Sequence, residues 1–104
     1  MTYEVVLYEQ AQIDLAQWAK SEPKAFAKAQ RFIEELKVHP KTGTGRPEAL
    51  KGDRNGQWSR EITKKHRLIY EIHDTEVLVL VLTAYGHYND KWLLNEENIY
   101  SIIN

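Results

Sequence analysis

The sequence predicts an α+β domain: an antiparallel β-sheet with an N-terminal helix pair packed on one face, in the order β-α-α-β-β-β-β. Three observations carry this. A β-branched and aromatic run opens the chain, two stretches of helical periodicity follow, and from residue 48 onward short alternating runs are separated by turn residues. Helices grouped before strands favour an antiparallel sheet over alternating parallel units.

Residues 3–8 (YEVVLY) alternate weakly and predict the first strand. Ala11, Leu15 and Trp18 then share a helical face, with Ala19 alongside, giving a helix over roughly residues 10–20. Ser21 and Pro23 suit the cap and first turn of a second helix. There Phe26, Ala29, Ile33 and Leu36 recur at spacings of three and four, Phe32 lies beside them, and Pro40 ends the pattern. The stretch 41–47 (KTGTGRP) is punctuated as a loop. It lacks the spacing and terminal Lys-Ser/Thr pair of a nucleotide-binding glycine loop. A short strand over 48–51 and a turn over 52–56 (GDRNG) lead into strands at 57–63 and 66–73. Alternation puts Trp58, Arg60 and Ile62 on one face of the first of these strands. In the second, Leu68, Tyr70 and Ile72 oppose Arg67, Ile69 and Glu71. After a turn at 73–75, the strand at 76–85 contains an aliphatic run, Val77–Leu82, expected to be covered on both faces. The sheet face away from the helices is left for function.

At 104 residues the chain has length for one domain and one core. The aliphatic run is too short to span a bilayer. Glu4, Glu9 and Gln10 stand where a signal peptide would need an apolar core, so no membrane partner and a cytoplasmic location are expected. With no cysteine, disulfides, thiolate metal sites and cysteine nucleophiles are excluded.

The net charge of −1 conceals an asymmetry. Between Lys37 and Arg67 nine basic residues face only Glu48, Asp53 and Glu61, so this segment carries +6 and the remainder −7. A basic middle in an acidic chain suits a polyanion such as nucleic acid, or else a solvated loop balanced by acidic helices.

The four histidines (His39, His66, His73 and His87) show no paired metal-ligand spacing, so no metal and no cofactor are expected. Ser59 sits in a strand pattern without a nucleophile elbow. Singly, the remaining polar residues have plain readings. Arg60 can be an exposed strand arginine, Arg67 can pair with Glu61 or Glu71, Glu48 can be a surface carboxylate beside Arg46, and His87-Tyr88 can be a strand end.

Together they form a pattern: Gly45-Arg46-Pro47-Glu48-Ala49-Leu50-Lys51, then Gly56-Gln57-Trp58-Ser59-Arg60-Glu61-Ile62-Thr63, then His66-Arg67-Leu68-Ile69-Tyr70, closing with His87-Tyr88. This resembles the YoeB/Txe toxins, in the RelE-like branch of type II toxin–antitoxin systems. The likeness spans about residues 3–88, with its motifs in 45–88. It implies a small microbial-RNase fold and cleavage of mRNA in the ribosomal A site without a metal or cofactor, under control of a cognate antitoxin. Carried onto this chain, it makes Glu48 the general base, His87 the general acid, Arg67 the phosphate-stabilising cation and Tyr88 an orienting group. Lys51 and Arg60 match positions that hold the RNA backbone, and Arg46 adds charge beside them.

The chemistry is consistent with those roles. RNA cleavage without a metal uses the substrate 2′-hydroxyl as nucleophile, so a base must take its proton and an acid must protonate the departing 5′-oxygen. Histidine, with an unperturbed pKa of ~6.5, is a natural donor. A guanidinium fork suits two phosphate oxygens at once. The products expected are a 2′,3′-cyclic phosphate, or the 3′-phosphate from its hydrolysis, and a 5′-hydroxyl.

One feature departs from the family pattern. Residues 1–88 cover the nuclease-like domain, yet an apolar extension follows at 89–104 (NDKWLLNEENIYSIIN). Packing on the domain, a homodimer contact and an antitoxin surface are all open to it. The competing functions are a non-catalytic RNA- or ribosome-binding module and a subunit whose sheet face docks a partner helix. Only the enzyme needs Glu48, Arg67 and His87 together.

Overall fold

The computed structural model describes residues 2–87, and for His87 only its place in the backbone. Tyr88 and the extension 89–104 lie outside the described residues. The elements are β1 (Glu4–Leu7), α1 (Glu9–Ser21), α2 (Pro23–Leu36), β2 (Glu48–Ala49), a 3-10 turn (Gly52–Arg54), β3 (Gln57–Glu61), β4 (His66–His73) and β5 (Leu78–His87). The α+β class and the order of elements are those expected from the sequence.

The five strands form one sheet in the order β1-β5-β4-β3-β2. From β2 to β5 neighbours are antiparallel, but β1 lies parallel to β5, with Glu4 opposite Leu78 and Leu7 opposite Val81. The sheet is therefore mixed, where an antiparallel one is expected. The reason is the connection: a parallel neighbour needs a long crossover, and the α1–α2 hairpin carries the chain from one edge strand to the other.

Smaller departures are local. Ser21 does not cap α2; its hydroxyl donates back to the Gln17 carbonyl, while Glu22 is the cap residue and Pro23 opens the helix. The strand pattern assigned to 76–85 is realised at 78–87, and Leu80 and Leu82 stay partly exposed while Val79 and Val81 are buried. Only one face of that run is fully covered.

The core lies between the helices and the sheet: Ala11, Trp18, Ala29, Phe32 and Leu36 pack against Leu68, Tyr70, Val79 and Val81. Leu15, Phe26 and Ile33 pack at its margin, and Ala19 is exposed. Full burial of a ring such as Phe32 stabilises by about 1.5–3 kcal/mol. The loop after α2 closes over that ring. Gly45 sits at φ 80°, and a Cβ there would collide with Phe32, so this position needs glycine for conformation and for space. Among the described residues, no helix is long and apolar enough to cross a membrane.

Candidate active site

Arg67 is the centre of the candidate site. Alternation along β4 turns it away from the helix-side core, on the face opposite Leu68 and Tyr70, as the sequence predicts. Its side chain is only 4% exposed. Nε donates to the Ser59 hydroxyl at 2.7 Å, and Nη2 donates to the Arg46 carbonyl at 3.3 Å. From there Nη2 reaches Glu48 Oε1 at 3.5 Å. Glu48 stands directly opposite Ser59 in the β2–β3 ladder, so the guanidinium spans β3 to meet a carboxylate two strands away. The carboxylate that Arg67 meets here is Glu48, beyond the Glu61 and Glu71 that its plain reading offered.

Glu48 is exposed on the edge strand β2, with its side chain at 65%. Just before it, Arg46 adopts φ 53°, which turns its carbonyl to Arg67 and leaves its own guanidinium 87% exposed, 3.9 Å from Glu61. Lys51 is exposed at the start of the 3-10 turn. Glu48 and Arg67 are thus brought into contact, with Arg46 beside them and Lys51 further along the same connection.

Arg60 requires a correction. Expected to hold RNA, it is 0% exposed and faces the helices. All five of its N–H groups are used internally. Nε donates to the Tyr70 hydroxyl, Nη1 to Glu35 and to the Thr44 carbonyl, and Nη2 to the carbonyls of His39 and Thr42. The guanidinium also lies 6.0 Å from the Phe32 ring centre and 5.9 Å from that of Tyr70. Its function here is to bind the loop that delivers Arg46 and Glu48 to β2. Glu35 completes the anchor by accepting from the Thr44 amide and hydroxyl. Partial burial raises the Glu35 carboxyl, but the Thr44 hydrogen bonds and the Arg60 guanidinium outweigh it and hold the pKa below the ordinary value. Burial pushes the Tyr70 phenol up, against the pull of Arg60.

The strand carrying His87 closes the other side. In the β4–β5 ladder Arg67 is opposite Gly86 and His66 opposite His87. Gly86 has no room for a side chain, because the Ile69 side chain lies across it. The ladder brings the backbone of His87 within one residue of Arg67's partner. The His87 side chain and Tyr88 lie outside the described residues. Two participants escaped the sequence reading. Ser59, set aside as a nucleophile, is a buried partner of Arg67. Trp18, assigned to the core, also stacks on Tyr85 with centroids 4.5 Å apart, and both rings meet His66 edge-on.

Comparison with known proteins bears on this arrangement directly. The family model of the YoeB-like toxins of bacterial type II toxin–antitoxin systems matches residues 7–88. This chain belongs to the YoeB toxin family. Toxin YoeB of Streptomyces coelicolor is 43% identical over 75 residues, covering 72% of this chain and 87% of that protein. Among solved structures, a YoeB/ParE toxin from Agrobacterium tumefaciens superposes with TM-score 0.74 at 32% identity, covering 82% of this chain and 99% of that one. YoeB of Staphylococcus aureus, solved as a dimer, gives TM-score 0.72 at 25% identity over 85% of this chain and all of the other. The same toxin in its heterotetrameric complex with YefM gives TM-score 0.69. The mixed five-stranded sheet with two helices is the fold of these YoeB toxins, and the chain is a type II toxin of their family.

Proposed function

We propose that this toxin is a ribosome-dependent, metal-independent endoribonuclease that cleaves mRNA in the ribosomal A site and so stops translation. The observation carrying this reading is the contact of Glu48 with a buried, pre-oriented Arg67 at 3.5 Å. Glu48 takes the proton of the 2′-hydroxyl, whose oxygen attacks the adjacent phosphorus. Arg67, held by Ser59 and the Arg46 carbonyl, meets the charge that develops on the non-bridging oxygens. His87 gives a proton to the departing 5′-oxygen, and Tyr88 orients the reacting groups. The bond to the 5′-oxygen breaks as the 2′ bond forms, giving a 2′,3′-cyclic phosphate and a 5′-hydroxyl.

Arg46 and Lys51, both exposed, supply backbone contacts to the RNA. Residues 1–88 form the nuclease unit in this reading. The S. aureus complex with YefM supports a cognate antitoxin as protein partner, and the S. aureus dimer supports a homodimer. The substrate makes the cytoplasm its place of action.

The test is cleavage of mRNA by the purified toxin with ribosomes present, with and without EDTA at fixed ribosome integrity, followed by end-group mapping. Cyclic or 3′-phosphate and 5′-hydroxyl ends, unchanged by chelation, are the expected outcome. Activity restored only by added zinc or magnesium, or ends carrying a 5′-phosphate, would overturn the proposal.

A further inference from the structure

Two side chains of α1 take over the hydrogen bonding of a residue in β5. Between the pairs Ile69–Thr83 and Arg67–Gly86, β4 uses three residues where β5 uses four. A second extra residue of β5 lies opposite the step from Ile69 to Tyr70. Extra residues of this kind leave backbone groups without ladder partners and turn the strand. At Ala84 both groups are satisfied from the helix. Its N–H donates to Asp14 Oδ2 at 2.9 Å, and its carbonyl accepts from Trp18 Nε1 at 2.9 Å. The Thr83 hydroxyl donates to the same Asp14 oxygen at 2.6 Å and accepts from the Tyr85 N–H at 3.1 Å. Gln10 Nε2 donates to Asp14 Oδ1 at 2.8 Å.

Asp14 is buried on the stripe of α1 that also carries Ala11 and Trp18. A buried carboxylate is costly unless hydrogen-bonded, and an apolar residue would serve packing alone. The three donors explain how it is tolerated, and the bulge explains what it holds. Side chains alternate between the faces of a strand, so one residue more or less exchanges the faces of everything beyond it. The face and register of Gly86 and His87 relative to Arg67 and His66 therefore depend on this bulge.

We propose that Asp14 is a positioning residue: it fixes the bulge at Ala84 and, through it, the strand end that carries His87 beside Arg67. This rests on His87 as the general acid. Neither Asp14 nor Trp18 touches the reacting atoms.

The test uses the full chain with Asp14→Ala, Asp14→Asn and, for comparison, His87→Gln. Asparagine keeps an oxygen for the Ala84 N–H and the Thr83 hydroxyl, so Asp14→Asn is expected within about threefold of wild type. Asp14→Ala is expected to keep KM within about threefold and to lose roughly 10–10²-fold in kcat, the scale of a misplacement near 1 Å. That loss should shrink when the 5′-oxygen leaving group is replaced by sulfur, as for His87→Gln. Cross-strand amide contacts between Arg67 and Gly86 and between His66 and His87, followed by NMR, should change in Asp14→Ala and persist in Asp14→Asn. Should Asp14→Ala fail to fold, Thr83→Val removes one bond to Asp14 together with the acceptor of the Tyr85 N–H, at nearly constant volume, and should show the same leaving-group signature. A folded Asp14→Ala with wild-type kcat, an equal loss with oxygen and sulfur, or unchanged cross-strand contacts would overturn the proposal. Wild-type activity in His87→Gln would instead remove the general-acid reading, while the NMR contacts would still report whether Asp14 holds the register.

Discussion

Arg67 and Glu48 meet at 3.5 Å as unequal partners, the arginine 4% exposed and the glutamate 65%. The cation is fixed by Ser59 and the Arg46 carbonyl, whereas the carboxylate stands on an edge strand open to solvent. Such a pair suits a substrate that must enter between them: the cation needs no reorganisation, and the carboxylate is free to turn to a 2′-hydroxyl. With Glu48 largely in solvent, its attraction to Arg67 is screened, so stability alone is a weak reason for the pair.

Ser59→Ala tests the fixing of the cation. It removes a buried hydrogen bond to a charged group, for which the usual loss is about 1.5–3 kcal/mol of stability. The variant is expected to fold, to bind RNA as before, and to lose kcat because Arg67 loses the anchor at its Nε. Denaturant unfolding and single-turnover cleavage measure the two effects. Wild-type kcat in the folded variant would contradict the role given to Ser59.

Arg60 and Lys51 should part company in a salt titration. Lys51→Ala is expected to reduce the slope of log affinity against log salt by about 0.7, the value for one phosphate contact on a single strand. Arg60→Met should leave that slope unchanged and instead lose stability, because the Tyr70 hydroxyl and the carbonyls of His39, Thr42 and Thr44 lose their donor. A slope that falls in Arg60→Met would return Arg60 to the RNA surface.

Arg67→Ala and Lys51→Ala should also differ in kinetics. Charge developing on the phosphate rewards Arg67 mainly in the transition state, so its loss should fall on kcat. A backbone contact acts in ground and transition states alike, so Lys51→Ala should raise KM. Equal kcat losses with unchanged binding would mean that Lys51 has the wrong role.

The loop anchor gives a pH dependence. The Glu35 carboxyl has a lower pKa in the fold than its ordinary 4.5, so its ionised form stabilises the fold above that value. The contribution is lost as pH falls through the lowered folded value. The stability difference between wild type and Glu35→Gln should therefore be constant near neutrality and shrink on acidification below about pH 4. A difference that stays constant to the acid limit would show that Glu35 does not titrate with the anchor.

How far the sequence reveals this molecule varies by element. The helices and β3–β5 are legible because their apolar spacing is regular, and the β4 alternation places Arg67 away from the helix-side core. The same alternation puts Arg60 on a face with Trp58 and Ile62, a signal that it points to the core, outweighed by its charge. Its five acceptors come from Glu35, a tyrosine 10 residues away and loop carbonyls, which no local pattern reveals. Asp14 escapes for a related reason: it lies between Ala11 and Trp18 on an apolar stripe, and its partners in β5 are 69 and 70 residues distant. The parallel β1–β5 pair depends on where the helical hairpin delivers the chain, which periodicity does not encode.

The central claim, acid–base cleavage with Glu48 on the attacking side and His87 on the leaving side, is tested most directly by changing the leaving group. His87→Gln should keep fold and RNA binding and lose about 10²–10⁴-fold in rate, the usual span for a positioned proton donor. With sulfur in place of the 5′-oxygen, which needs little protonation, most of that loss should be recovered in His87→Gln and little of it in Glu48→Gln. Equal rescue of both variants, or a wild-type rate for His87→Gln on the oxygen substrate, would contradict the assignment.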